Sequence, residues 1–318
     1  MSGGSDAVGD TASDTRMAAM DIGGTHVSVA NVDVPRRTIL PGQSFRAPLD
    51  SHASADGILT TLVDCASQLP ALPGGRLAVA LPGPFDYEHG IGRYTGVGKF
   101  DALNGYDLRT ALASQLPATG GITFHNDADA FLSGEWWAGA ARGHGAAVGI
   151  TLGTGVGSGF LRDGGSLREG PGVPPDGRVD LLRFAGRPLE ESVSRQAIRR
   201  AYADAAGEPE PPDVRDIAER ARRGDRAAAR VFARTFHTLG SVLGPYIAAF
   251  GPTVLVVGGS IAGAWDLVAA PLKAGLEAGG AANTPVEPAR LGDAAPLLGA
   301  AYMALARCHR ARRRHLTR

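Results

Sequence analysis

Apolar residues fill positions 17–20 of this chain and alternate with small or polar ones over 27–32, on either side of Asp21-Ile22-Gly23-Gly24-Thr25-His26. That pattern predicts a β-hairpin with two glycines at its tip. Short apolar or alternating runs predict further strands over 38–47, 76–81, 122–125, 146–152 and 253–257, with another resuming at Phe160. Apolar positions three and four apart predict helices over 56–68, 108–116, 128–141, 190–202, 214–223, 225–250, 264–279 and 294–307. Residues 164–187 are rich in Gly, Pro and Asp and lack periodicity, so they are expected to form a long loop, functional or mobile. Residues 207–212 read as a surface connector. The stretch 153–159 is a second glycine turn between strands, and the two similar hairpins suggest an internal duplication.

A length of 318 residues allows two domains of ordinary size, and 44% hydrophobic with 20% charged residues describes a soluble globular chain. Zero formal net charge gives no support for nucleic acid as the main partner. The basic stretch 307–318 reads as a solvated helix end rather than a binding tail. Cys65 and Cys308 lie far apart and form neither a disulfide framework nor a thiolate metal site. No run approaches the ~18 apolar residues of a membrane span. Residues 1–16 carry no secretory pattern, so a disordered leader on a cytoplasmic protein is expected.

Chemistry concentrates where predicted strands end. Asp21 before the first turn and Thr25 after it suit a metal-bound phosphate, although the stretch alone is equally an ordinary glycine hairpin. Pro82-Gly83-Pro84 stops one strand and forms a loop at its carboxyl end, where ligands of open α/β sheets tend to bind. Another strand delivers Asn126-Asp127-Ala128-Asp129-Ala130, in which Asp127 is a candidate base or simply a helix N-cap. Gly153 to Gly159 and Gly258-Gly259-Ser260 are further strand-end turns. None is followed by Gly-Lys-Ser/Thr, and none fits G-x-G-x-x-G in register, which lowers a dinucleotide-oxidoreductase reading.

Taken in order, these segments resemble the ROK sugar kinases. Asp21-Ile22-Gly23-Gly24-Thr25 is similar to the family's first phosphate motif, and Leu152-Gly153-Thr154-Gly155-Val156-Gly157 to its second. Pro82-Gly83-Pro84 resembles its sugar-side loop, and Asn126 to Ala130 its catalytic segment. Val257-Gly258-Gly259-Ser260-Ile261 resembles the nucleotide-side motif; Leu291-Gly292-Asp293 with Gly299-Ala300-Ala301 resembles the closing helix. The resemblance implies two α/β domains of the actin/hexokinase-like (RNase H-like) fold with an interdomain cleft. Residues 17–125, completed by the helix 294–307, would form the N-terminal domain and 126–293 the C-terminal one, with a leader at 1–16 and a basic tail at 308–318.

By the same resemblance the activity is ATP-dependent phosphorylation of a primary hydroxyl on a small polyol. Asp127 is then the general base, Asn126 holds substrate hydroxyls, and Gly83, Glu169 and Glu190 complete the acceptor site. Gly23, Gly24, Thr25, Gly153, Thr154, Gly155, Gly258, Gly259 and Ser260 hold ATP and its phosphates, and Asp21 holds Mg²⁺ through water. The family commonly dimerises, and Trp136 and Trp137 are either interface or core.

Two departures from the family pattern stand out. Glu169-Gly170-Pro171-Gly172 keeps the Glu of Glu-x-Gly-His but has Gly172 at the His position. The Cys-rich zinc loop that follows it in the family is missing, so no zinc site is expected. His26 stands where the family commonly has Lys. Loss of the His contact near the anomeric end points to a C7-cyclitol of the valiolone type, with an ordinary glucokinase as the alternative. A ROK repressor would carry a DNA-reading domain ahead of the first motif, for which 1–16 is too short. A non-catalytic sugar-binding protein is disfavoured by retention of Asp21, Asp127 and the phosphate glycines. Polyphosphate remains open as donor, with Gly258-Gly259-Ser260 favouring ATP.

Overall fold

The computed structural model describes residues 15–71, 75–117 and 120–316. Most of the expected leader lies outside them, as do Thr317 and Arg318 of the tail. The chain divides into two compact units, residues 1–138 with 293–318, and 139–292.

In the first unit, β1 (Arg16–Ile22), β2 (His26–Asp33) and β3 (Thr38–Pro48) form an antiparallel meander. Helix α1 (Ala55–Ala66), capped by the Ser54 hydroxyl on the Gly57 amide, then carries the chain over to β4 (Leu77–Leu81). A short hairpin, β5 (Phe85–Asp86) with β6 (Ile91–Gly92), leads into α2 (Leu108–Gln115), and β7 (Ile122–Asn126) follows. Strand order is β3-β2-β1-β4-β7. β4 is buried along its whole length and runs parallel to both β1 and β7.

Helix α3 (Asp127–Ala138) and the last helix, α9 (Ala294–Leu316), belong to this unit. The division therefore falls after Ala138 rather than after His125. The reason is packing: Gly134 and Gly299 bring the backbones of α3 and α9 together at Ala295 and Ala130. Trp136 and Trp137 both tilt against Tyr302 of α9, with ring centroids 5.4 and 5.8 Å away, which makes them part of this helix pair. Residues 308–316 continue α9 instead of forming a separate tail.

The second unit repeats the plan. β8 (Ala146–Leu152) and β9 (Val156–Arg162) form the glycine hairpin, and β10 (Gly165–Ser166) adds antiparallel to β9. The segment expected as loop holds two 3₁₀ turns and the small hairpin β11 (Arg183–Phe184) and β12 (Arg187–Pro188). The helix expected over 190–202 is broken into α4 (Glu190–Val193) and α5 (Arg195–Ala206), because Ser194 takes an extended conformation and caps α5 at Ala197. Helices α6 (Val214–Arg222) and α7 (Arg226–Phe250) follow. After them come β13 (Val254–Gly258), α8 (Trp265–Ala278) and the unanticipated strand β14 (Val286–Pro288). The order β10-β9-β8-β13-β14 has the strand directions of the first sheet. The duplication suggested by the hairpins thus extends to all five strands.

Candidate active site

Register fixes the first half of the site. Asp21 pairs with Ala80 and Leu81 with Asn126 across parallel strands, so the carboxyl ends of β1, β4 and β7 lie on one edge of the sheet. That edge gathers Asp21, the Gly23-Gly24-Thr25 turn, Gly83, Asn126 and Asp127. The turn is closed by the Gly23 amide donating to the His26 carbonyl at 2.9 Å, while the Thr25 hydroxyl and His26 Nδ1 are 2.8 Å apart.

Asn126, not Asp127, caps α3: its Oδ1 accepts from the Ala128 and Asp129 amides at 3.1 and 3.2 Å. Asp127 is the first residue of the helix, half-buried, with Oδ1 accepting from the Ala128 amide at 2.9 Å. The Asn126 amide is oriented from its other side by donation to the Tyr87 hydroxyl at 3.1 Å, and that hydroxyl donates to the Leu81 carbonyl. The Tyr94 hydroxyl donates to the Pro82 carbonyl at 2.7 Å. Tyr87 and Tyr94 therefore tie the Pro82-Gly83-Pro84 loop in place; sequence reasoning missed both, although Tyr87 follows that loop by three residues.

Desolvation and the negative charges of Asp127 and Asp293 push the Asp21 carboxyl up to about 7, opposed by Arg46. Asp293, just ahead of α9, is itself paired with Arg46 at 2.6 Å. A crowded carboxylate of this kind fits a site completed by a divalent cation, which would hold Asp21 ionised. Among the described residues no three His, Cys, Asp or Glu side chains are gathered to hold a metal directly.

His125, next to the pair, is buried and lies 3.1 Å from the Thr123 hydroxyl. Burial, reinforced by the Arg307 cation, pushes its imidazole down to about 3. The ring is neutral in the fold, whereas an unfolded chain protonates it below about 6.5. This contribution to stability is complete above that pH and is lost as pH falls toward 3. Urea unfolding at pH 6.5 and 4.5 should show the parent losing about 2 kcal/mol more than His125→Gln across that interval. Equal losses would mean that His125 is protonated in the fold.

The second unit has a corresponding edge. β13 runs parallel to β8, with Gly258 opposite Thr151, so Gly153-Thr154-Gly155 and Gly258-Gly259-Ser260 leave the sheet side by side. The Ser260 hydroxyl is 3.7 Å from where a Cβ on Gly153 would lie. Glu190 joins them, its Oε2 accepting from the Val156 amide at 2.9 Å; a side chain on Gly155 would collide with that carboxylate.

Glu169 is exposed and makes no hydrogen bond or ion pair among the described residues, so nothing ties it to Glu190. Gly172 has φ +73°, and a Cβ there would lie 2.6 Å from the Tyr246 carbonyl oxygen, against the carboxyl end of α7. Phe250 leads into the start of β13, at the edge opposite the glycine turns. Backbone packing at α7 thus demands glycine at 172. The position does not face the second-unit turns, and the substrate inference drawn from it in the sequence loses its footing.

The ROK family model matches residues 17–307. A glucokinase of Thermotoga maritima is 30% identical over 81% of this chain and 86% of its own length. A beta-glucoside kinase of Listeria monocytogenes is 28% identical over 90% of this chain and 96% of its own. Among solved structures, the ROK hexokinase of Thermus thermophilus superposes with a TM-score of 0.72 at 25% identity, covering 90% of this chain and 97% of that one.

Proposed function

Because this chain belongs to the ROK family and has its actin/hexokinase-like fold, we propose that it is an ATP-dependent kinase phosphorylating a primary hydroxyl of a hexose-like sugar. The observation that carries the reading is the edge of the first sheet, where the carboxyl ends of β1 and β7 bring the Gly23-Gly24-Thr25 turn, Asp21 and Asp127 to one side. Kinase chemistry needs positioning, charge neutralisation and a group that accepts the alcohol's proton. Asp127 accepts that proton, and Asn126, fixed by α3 and Tyr87, holds a neighbouring hydroxyl. Gly83 lets the acceptor approach backbone, while Glu190 and Glu169 accept from ring hydroxyls in the second unit. The turns at Gly23-Gly24-Thr25, Gly153-Thr154-Gly155 and Gly258-Gly259-Ser260 offer backbone amides and hydroxyls to the donor's phosphates and nucleoside. A magnesium ion, held by Asp21 through water, would supply charge neutralisation on the phosphates.

An ATP-consumption assay with Mg²⁺ against hexoses, amino sugars and cyclitols tests this. Turnover is expected with an acceptor bearing a primary hydroxyl and none with its 6-deoxy analogue; polyphosphate should replace ATP poorly. Sugar binding without turnover across the panel would instead make the protein a non-catalytic member. A C7-cyclitol acceptor is the second reading, and the same panel decides between the two. A preference for glucose over a valiolone-type cyclitol of about tenfold in kcat/KM, roughly 1.4 kcal/mol, would leave the ordinary glucokinase reading. For either acceptor we propose a cytoplasmic enzyme that assembles as a homodimer.

A further inference from the structure

Lys99 is one of only two lysines in a chain whose lysines and arginines total 32. Its side chain lies over the first glycine turn: Cδ, Cε and Nζ are 3.4, 3.6 and 3.7 Å from where a Cβ on Gly24 would be. The amine has no hydrogen-bond or ion-pair partner among the described residues. Arg46, by contrast, is occupied by Asp293. A lysine ammonium is a compact point charge on a flexible stem, suited to following a phosphoryl group as it moves.

The segment carrying it is built to present that charge. Tyr94 and Phe100 are buried, and their rings lie 5.5 Å apart. Tyr94 is anchored to the Pro82 carbonyl, and the Phe100 amide donates to the Ser51 carbonyl at 2.8 Å. Between these fixed ends, Gly96 and Gly98 both have positive φ and open space around them, and Val97 at the crest is 44% exposed. Residues 95–99 thus form an arm with rigid roots and two permissive joints, ending in an unpaired cation beside the Gly23-Gly24 turn.

We propose that Lys99 contacts the phosphoryl group at the Gly23-Gly24 turn, binding the phosphate of the phosphorylated product and of the group in transfer. This rests on the kinase reading above. It explains how an edge carrying Asp21, Asp127 and Asp293 accepts an anion: the ammonium offsets charge that those carboxylates would otherwise repel. Lys99 would act on the phosphate and not on the unphosphorylated acceptor.

The test uses the acceptor identified in the panel and its phosphorylated product. Equilibrium binding of each should be measured with the parent, Lys99→Met and Lys99→Arg, alongside kcat and KM. In Lys99→Met, affinity for the phosphorylated product and kcat should each fall about 10- to 100-fold, the range of a hydrogen bond to a charged group. Affinity for the unphosphorylated acceptor should stay within about twofold, and Lys99→Arg should recover part of the loss. A second readout needs no turnover: acetylation of Lys99, read by peptide mass spectrometry against exposed Lys273, should be suppressed by the phosphorylated product and not by the acceptor. Equal loss of affinity for both ligands, or acetylation of Lys99 unaffected by the product, would overturn the proposal. If the parent phosphorylates no acceptor at all, the kinase reading fails instead, and the two failures are distinct.

Discussion

Asp127→Asn should lower kcat by about 10²–10⁴-fold, the span attributed to a positioned base. The substitution keeps an oxygen for the Ala128 amide and changes little volume, so α3 should remain capped by Asn126. Nucleotide affinity should be near that of the parent, because the glycine turns are untouched. Isothermal titration with a non-hydrolysable ATP analogue and a coupled assay on the same preparation separate the two quantities. A variant that keeps turnover within about threefold of the parent, far less than loss of a base should cost, would move the proton acceptor elsewhere.

Gly299→Ala should destabilise the protein, although alanine is favoured over glycine in a helix by about 1 kcal/mol. A Cβ at 299 would lie 2.6 Å from the Ala130 carbonyl carbon and 2.7 Å from the Gly134 amide nitrogen. Both obstacles are backbone of α3, so no rotamer change relieves them and the helices must separate. Overpacking of this kind costs about 1–3 kcal/mol; unyielding backbone puts the cost at the upper end, so the net loss after the helix-propensity gain is about 2 kcal/mol. Urea unfolding followed by tryptophan fluorescence is a direct measure, since Trp136 and Trp137 sit on α3 against Tyr302. A variant as stable as the parent would mean that α3 and α9 are less tightly apposed than described.

The same contact bears on what a sequence can disclose. β1 and β2 were readable because alternation and a glycine tip are local signals, and so were the strand-end motifs at Asp21, Asn126 and Gly153. The assignment of α3 to the first unit was not, because it depends on α9, which begins more than a hundred residues later. Three-residue β14 follows Pro285 and is too short for a period to register. Ser194 sits inside a helical pattern, and only its extended backbone marks the break. Lys99 and Tyr87 lie at no diagnostic spacing from the glycine turn or Asn126. Gly172 is the opposite case, in which a motif-like string gave a position that packing against α7 does not allow. A loop without periodicity has no internal ruler by which such a string can be placed.

The partnership of α3 and α9 also sets an order of events during synthesis. The second unit, roughly 150 residues, is continuous in the chain and can close on itself as it leaves the ribosome. The first unit has its sheet and α3 available early, yet it lacks the helix that covers them until translation has passed the whole second unit. At ~5–20 residues per second that interval is roughly 8–30 s. Throughout it, the small-residue face around Ala130 and Gly134 stands open to other nascent chains and to chaperones. The piece of the enzyme made first is therefore the last to be finished.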